Sequence, residues 1–209
     1  MRLEQVINYV EDKKPGVFLE IGTWNGTMAK ALLKLGAKKY IGFDLWEEGS
    51  EELDDIENNA KKRVTEEEVR ERLDGALKTY GEGKEYELIK GNTRETLKKY
   101  VKDKEFFVDV CLIDGGHSAA TIKNDFLNVL KIMKDDGVIF MDDYYFNCPT
   151  PGLGAQCVCA EMNVPYTVLP KVDKSRDGSL IKVVRIDMKD VPRMPVHEKT
   201  DRPTWEFEP

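Results

Sequence analysis

The chain lacks the features that would send it to a membrane, a nucleic acid or an oxidising compartment. No apolar run approaches the roughly 20 residues that a bilayer requires, and the first residues lack the basic-then-apolar order of a secretory leader. No basic stripe interrupts the acidic background: Lys and Arg are interleaved with Glu, the formal net charge is −7 and the pI is near 5.1. Long-range attraction to nucleic acid or anionic lipid is opposed by that balance. Four cysteines without paired CxxC spacing argue against a zinc site and for reduced thiols in a cytoplasmic protein. Internal repeats are missing, and so is a G-x-G-x-x-G dinucleotide fingerprint. What remains is an ordinary soluble composition, 41% hydrophobic and 34% charged, in 209 residues that can bury a sizeable core.

Two apolar runs carry most of the information. Residues 108–117 (VDVCLIDGGH) and 138–143 (VIFMDD) are each of strand length and each stop at a carboxylate. Between them Ile122, Phe126, Val129, Leu130 and Met133 repeat at helical spacing, with Ser118 placed to cap. Strand, helix, strand with no room for a hairpin makes the two strands parallel and neighbouring. Their C-terminal ends then lie side by side, where open α/β sheets bind ligands. Asp114, Asp142 and Asp143 converge there. Taken singly, each is an ordinary turn-capping acid; taken together, they repel unless a cation sits among them, and an all-oxygen set suits Mg²⁺ or a similar hard ion.

The rest of the chain reads as further βαβ units. Leu3, Val6, Ile7 and Val10 share a helical face; residues 17–21 form a strand; Met28, Ala31, Leu32 and Leu35 form a helix closed by Gly36; residues 40–43 form a second strand. Residues 45–84 make a densely charged excursion. Ile56, Ala60 and Val64, then Val69, Leu73, Leu77 and Tyr80, fit two amphipathic helices lying across the domain as an insertion or lid. A strand at 86–89 and a helix opened by Thr93 follow. After the central pair come a helix at 155–163 and strands at 166–169 and 180–186, whose short connection makes them antiparallel. Cys157 and Cys159 are expected to pack rather than bind metal. Residues 189–209, with Pro192, Pro195, Pro203 and Pro209, read as an irregular arm on the surface or on a neighbouring subunit of a homo-oligomer. The expectation is one α/β domain over residues 1–188: a Rossmann-like, doubly wound, mostly parallel seven-stranded sheet with a terminal antiparallel strand.

The first strand leads into Glu20-Ile21-Gly22-Thr23-Trp24-Asn25-Gly26, a turn whose glycines allow close approach of a ligand to backbone N–H groups at a helix start. Glu20 disfavours a pyrophosphate and suits a cationic amino-acid group. Asp44, at the end of the next strand, is placed to accept ribose hydroxyls. Turn and acid are each commonplace alone; in this order they favour a nucleoside.

These residues, with Gly91-Asn92-Thr93, resemble the S-adenosylmethionine site of the class I methyltransferases over roughly residues 17–186. The resemblance implies that Glu20, Gly22, Thr23, Trp24 and Gly26 hold the methionine part, that Asp44 holds ribose, and that Asn92 and Asp114 border the cofactor pocket. Trp24 stands where that turn usually has its middle glycine. The second half, Asp114-Gly115-Gly116-His117 followed by Met141-Asp142-Asp143-Tyr144, resembles the metal-dependent O-methyltransferases of macrolide and aminocoumarin sugars and the cephalosporin-hydroxylase-like proteins. It is similar in layout to catechol-type enzymes as well. That resemblance implies Asp114, Asp142 and Asp143 as metal ligands. Where the sugar enzymes often carry a second acid proposed as base, this chain has Gly116. His117, three residues beyond Asp114, is then the candidate base, since an imidazole suits proton abstraction near neutral pH; hydrogen bonding within the turn or lining the adenine pocket is the alternative for it. Tyr144 and Tyr145 are candidates for packing or for substrate contact.

The expectation is a divalent-metal-dependent, S-adenosylmethionine-dependent O-methyltransferase acting on a small hydroxylated molecule, with no nucleic-acid or membrane partner. A non-catalytic nucleoside-binding protein on the same fold is the competing reading, and an NAD-dependent oxidoreductase is disfavoured by the missing fingerprint.

Overall fold

The computed structural model describes residues 1–46, 64–104, 106–146, 150–174 and 178–192. Helix α1 (Glu4–Lys13) buries Val6 and Val10 and stops at Lys14, whose backbone turns left-handed. Strand β1 (Val17–Ile21), helix α2 (Thr27–Leu35) and strand β2 (Lys39–Asp44) follow, with Gly36 at the end of α2 at φ 132°. Helix α3 (Glu66–Tyr80) begins at a capping box in which Thr65 and Glu68 satisfy each other's backbone N–H groups. Then come β3 (Glu85–Lys90), α4 (Thr93–Tyr100) capped by Asn92, β4 (Val108–Ile113) and α5 (Ala119–Val129) capped by Ser118. Strand β5 (Met133–Phe146), helix α6 (Ala155–Met162), strands β6 (Thr167–Val168), β7 (Asp173–Lys174) and β8 (Leu180–Asp187), and a 3-10 turn (Met188–Asp190) complete the described chain.

The sheet order is β3-β2-β1-β4-β5-β8-β6, with β7 pairing onto β8. The first five strands pair in parallel, while β8 runs antiparallel between β5 and β6. The antiparallel strand is therefore last among the strands but not at the edge, and β7 brings the sheet to eight strands rather than seven. Strand order reverses between β1 and β4, and the crevice outside those C-terminal ends is where such sheets take ligands.

Each face of the sheet buries its own layer. Leu19, Ile21, Cys111, Ile113, Ile139 and Met141 meet Phe126 and Val129 of α5 on one side. Phe18, Tyr40, Leu112 and Phe140 meet Val6, Leu32 and Val69 of α1, α2 and α3 on the other. Strands apolar on both faces give the near-continuous hydrophobic runs seen in the sequence.

Four expectations need correction or narrowing. Met133 does not belong to the helix; it opens β5, because a buried strand and the last turn of a buried helix are equally apolar. Strand β5 does not stop at its carboxylates either. It runs through Asp142 and Asp143 to Phe146, where Tyr144, Tyr145 and Phe146 pair with Lys182, Ile181 and Leu180 of β8. Of the charged excursion, residues 47–63 lie outside the described residues, and α3 joins the α2 layer through buried Val69 and Leu73. Of the C-terminal stretch, Val191 is buried in the core beside Met188, so the fold extends past the boundary at 188, while residues 193–209 lie outside the described residues.

The C-terminal ends are stitched together by backbone hydrogen bonds. Gly22 and Thr23 donate to Phe43 O at 2.8 and 3.2 Å, Asp114 donates to Ile21 O at 2.8 Å, and Gly91 donates to Asp44 O at 2.9 Å. Gly22, at φ 93°, lies so close to β4 that an added Cβ would stand 1.9 Å from Asp114 O. Gly22→Ala therefore meets both a strained backbone and a wall of main chain. It should lower unfolding free energy in urea by at least about 2 kcal/mol. Gly152→Ala, with φ 74° but nothing within 4 Å of its added Cβ, should lose only about 1 kcal/mol. Equal losses from the two would show that the contact with Asp114 imposes no constraint.

Candidate active site

The acidic centre is assembled by register. Ile113 pairs with Met141, so the next residues, Asp114 and Asp142, emerge side by side. Consecutive side chains of a regular strand point to opposite faces, and Asp143 should turn away. It does not, because the β5–β8 pairing shifts between Met141 and Tyr144 and Asp143 adopts φ 56°. One oxygen from each of Asp114, Asp142 and Asp143 lies within 4.8 Å of the others. The three sequence-expected ligands are thus brought together, and this is the one group with metal-ligand spacing among the described residues.

Asp142 and Asp143 are buried, at 1% and 6% exposure. Burial, then the neighbouring Asp142 charge, pushes the Asp143 carboxyl above the usual carboxylate range, while His117, Arg2 and Tyr145 pull it back. His117 Nε2 stands 3.3 Å from Asp143 Oδ2, and Tyr145 donates to Asp143 Oδ1 at 3.2 Å. The loop before α6 fixes that histidine: Gly154 N donates to His117 O at 2.8 Å, and Ser118 bridges Leu153. Tyr145 hence belongs to the centre, whereas Tyr144 packs against Phe146 and Tyr166, with centroids 5.3 and 6.1 Å away.

A residue that the sequence reading missed completes the centre. Arg2, just ahead of α1, donates through Nε and Nη2 to the two oxygens of Asp142, each at 2.6 Å, and Nη2 lies 3.9 Å from Asp143 Oδ1. Nη1 and the backbone N of Arg2 both donate to Asp173 Oδ2. Nothing in the local sequence marks Arg2, since the contact joins positions 140 residues apart.

The glycine turn lies across the switch point. Asp44 Oδ2 accepts from Trp24 N at 2.6 Å and Asp44 Oδ1 from Trp46 N at 2.8 Å, while Trp46 Nε1 donates to Trp24 O at 2.9 Å. Trp24 adopts φ 46°, so the position carrying tryptophan in place of glycine still turns left-handed, held by the Asp44 bond. Its ring is exposed at 38%. Gly26, at φ 70°, starts α2 beneath α3, where its added Cβ would lie 2.9 Å from Val69 Cγ1. Asn92 caps α4, its side-chain oxygen accepting from Arg94 N at 3.0 Å, and sits just beyond the strand that pairs Lys90 with Asp44. Gly22, Thr23, Trp24, Gly26, Asp44, Asn92 and Asp114 thus line one C-terminal edge.

Glu20 sits lower. It is 2% exposed, and its carboxylate accepts from the Tyr40 hydroxyl, which also bonds Thr23 Oγ1 at 2.9 Å. Burial, then Glu20, holds the Tyr40 phenol well above its usual range, so it remains a donor. Tyr40 was read only as a strand residue; its distance from Glu20 in sequence hides the pairing. Removing that donor in Tyr40→Phe should cost about 1–3 kcal/mol in chemical unfolding while keeping the ring stacked on Phe18. No loss of stability would show that the buried carboxylate does not depend on Tyr40.

Comparison with known proteins agrees with this fold. A family model described as a methyltransferase domain matches residues 19–144, from β1 to the acidic centre. The O-methyltransferase TomG of Streptomyces achromogenes, from tomaymycin synthesis and solved with S-adenosylmethionine, is similar over 88% of this chain and 78% of its own, at 14% identity and TM-score 0.61. The calicheamicin methyltransferase CalS11 is similar over 90% and 77%, at 16% identity and TM-score 0.59. An O-methyltransferase of Bacillus cereus, solved with S-adenosylhomocysteine, is similar over 88% and 79%, at 16% identity and TM-score 0.58. At such identities the likeness establishes the fold. No curated protein sequence matches the chain. Since the family model covers more than half of the 209 residues and ends within the acidic centre, the chain belongs to the methyltransferase-domain family, on a class I methyltransferase fold.

Proposed function

We propose that the protein transfers a methyl group from S-adenosylmethionine to a hydroxyl of a small molecule, a sugar or natural-product ring, with a divalent ion at the acidic centre. The observation that carries this reading is the contact between Gly22 and the main chain of Asp114, which places the glycine turn and the carboxylate trio on one crevice. A donor site and a hydroxyl-activating site must be neighbours for in-line transfer. The known proteins of similar fold include an O-methyltransferase of tomaymycin synthesis and a TDP-rhamnose 3'-O-methyltransferase of calicheamicin biosynthesis, in agreement with a small hydroxylated acceptor.

On the donor side, Asp44 would take the ribose hydroxyls, Gly22 to Gly26 would admit the methionine portion against bare backbone, and Asn92 would border the adenine. Glu20 would act through the turn that it and Tyr40 support. The sulfonium supplies an electrophilic methyl and asks of the protein only position and an oxygen nucleophile. Trp46, tied to the Trp24 carbonyl, keeps the Asp44 carboxylate aimed across the turn.

The residues at the acidic centre fit a hard divalent ion: three carboxylate oxygens share a space too small for three uncompensated charges. Asp114, Asp142 and Asp143 would hold it, and such an ion lowers the pKa of a coordinated hydroxyl and orients it. His117 serves as the proton acceptor. Its Nε2 lies 3.3 Å from Asp143 Oδ2, beside the acidic centre, and the docked loop holds the backbone at His117 in place.

Calorimetry should show S-adenosylmethionine binding to the wild-type protein and binding weakened roughly tenfold or more in Asp44→Asn. Unaltered affinity would remove Asp44 from the donor site, and no binding at all would defeat the donor assignment. Over a panel of hydroxylated acceptors with labelled donor, His117→Gln should lose about 10²-fold or more in turnover while keeping donor affinity. Asp142→Asn should lose the response to Mg²⁺. Full activity in excess chelator rejects the metal, and donor binding without turnover on any acceptor would favour the non-catalytic reading.

A further inference from the structure

Arg2 meets Asp142 as a fork meets a fork, with two parallel N–H···O contacts of 2.6 Å. The Asp142 side chain has no exposed surface, and both of its oxygens accept from this one guanidinium. The same group faces Asp143 at 3.9 Å. It therefore already supplies Asp142 and Asp143 with the positive charge that a coordinated cation would bring. A small hard ion needs an oxygen at about 2.0–2.1 Å, and two cations on one carboxylate repel. We propose that Arg2 is a tethered counter-cation that competes with the divalent ion for Asp142, so that loading the acidic centre unlatches the segment ahead of α1. The inference rests on the metal reading of the preceding section.

The contacts around Arg2 suit a latch. Its backbone and Nη1 donate to Asp173 of β7, a partly exposed acid that helps hold the guanidinium in its latched position on Asp142. Gln5 spans the two sides, donating from Nε2 to Arg2 O at 3.0 Å and accepting from Lys171 N at 3.0 Å; Glu4 pairs with Lys171 at 2.6 Å. These are surface ties, individually weak and screened by salt. Val6 and Val10 beyond them are wholly buried, so release stops at the first turn of α1 and leaves the fold intact. The latched arrangement thereby offsets the facing carboxylates, and metal entry and opening of this edge become one event.

Titration calorimetry with MgCl₂ on the wild-type protein, Arg2→Gln and Asp173→Asn tests the competition, together with hydrogen exchange of residues 1–13 with and without Mg²⁺. Arg2→Gln should bind Mg²⁺ roughly tenfold tighter or more, because the competing charge is gone. Asp173→Asn, which loosens the latch without touching the trio, should bind with intermediate affinity and keeps the test valid if the first variant folds poorly. In the wild type, Mg²⁺ should speed exchange around Arg2 to Gln5. Equal or weaker Mg²⁺ affinity in both variants, or slower exchange, overturns the latch while leaving the metal reading standing. Absence of Mg²⁺ binding in all three proteins overturns both.

Discussion

Like-charge repulsion at the C-terminal tips of β4 and β5 is the constraint around which the rest of this site is arranged. Three carboxylates whose oxygens lie within 4.8 Å of one another cannot remain ionised in a buried setting without positive charge close by. The chain meets that demand through Arg2, while His117 and Tyr145 contact Asp143. Burial and Asp142 together drive the Asp143 carboxyl upward, which measures how much the neighbours must offset.

The donor side is governed by steric exclusion rather than charge. Gly22 is pinned between Phe43 and Asp114, and no side chain fits there. That contact ties the turn to the acidic centre. Asp44 works in a similar way. By accepting from Trp24 and Trp46, it holds a tryptophan in the left-handed conformation that glycine would reach without help. The departure from the usual glycine pattern is thus compensated by a hydrogen bond from the next strand. Glu20 and Tyr40 support the same turn from below, a buried acid and a phenol that keeps its proton.

Much of this was legible in the residues. Apolar runs ending in acids located β4 and the middle of β5, and Ser118 stands at the helix cap that its chemistry favours. The convergence of Asp114, Asp142 and Asp143 was legible in outline because two strand ends in a βαβ unit must neighbour each other. Other features were out of reach. Met133 reads as helix because burial on all sides erases periodicity, and the extension of β5 to Phe146 depends on β8, some forty residues later in the chain. Residues 45–84 keep only part of their expected shape in view, with α3 packed beside α2.

The sequence by itself determined which side chains could do chemistry and the order in which strands and helices present them, because local periodicity and βαβ handedness leave few alternatives. Tertiary structure alone decided that Asp143 faces the same point as Asp142, through a register shift and a left-handed residue that no alternating pattern encodes. It decided, too, that Arg2 supplies the counter-charge and Tyr40 the proton for Glu20. Such pairings join distant positions, and distance along the chain carries no information about contact until the sheet has set its order.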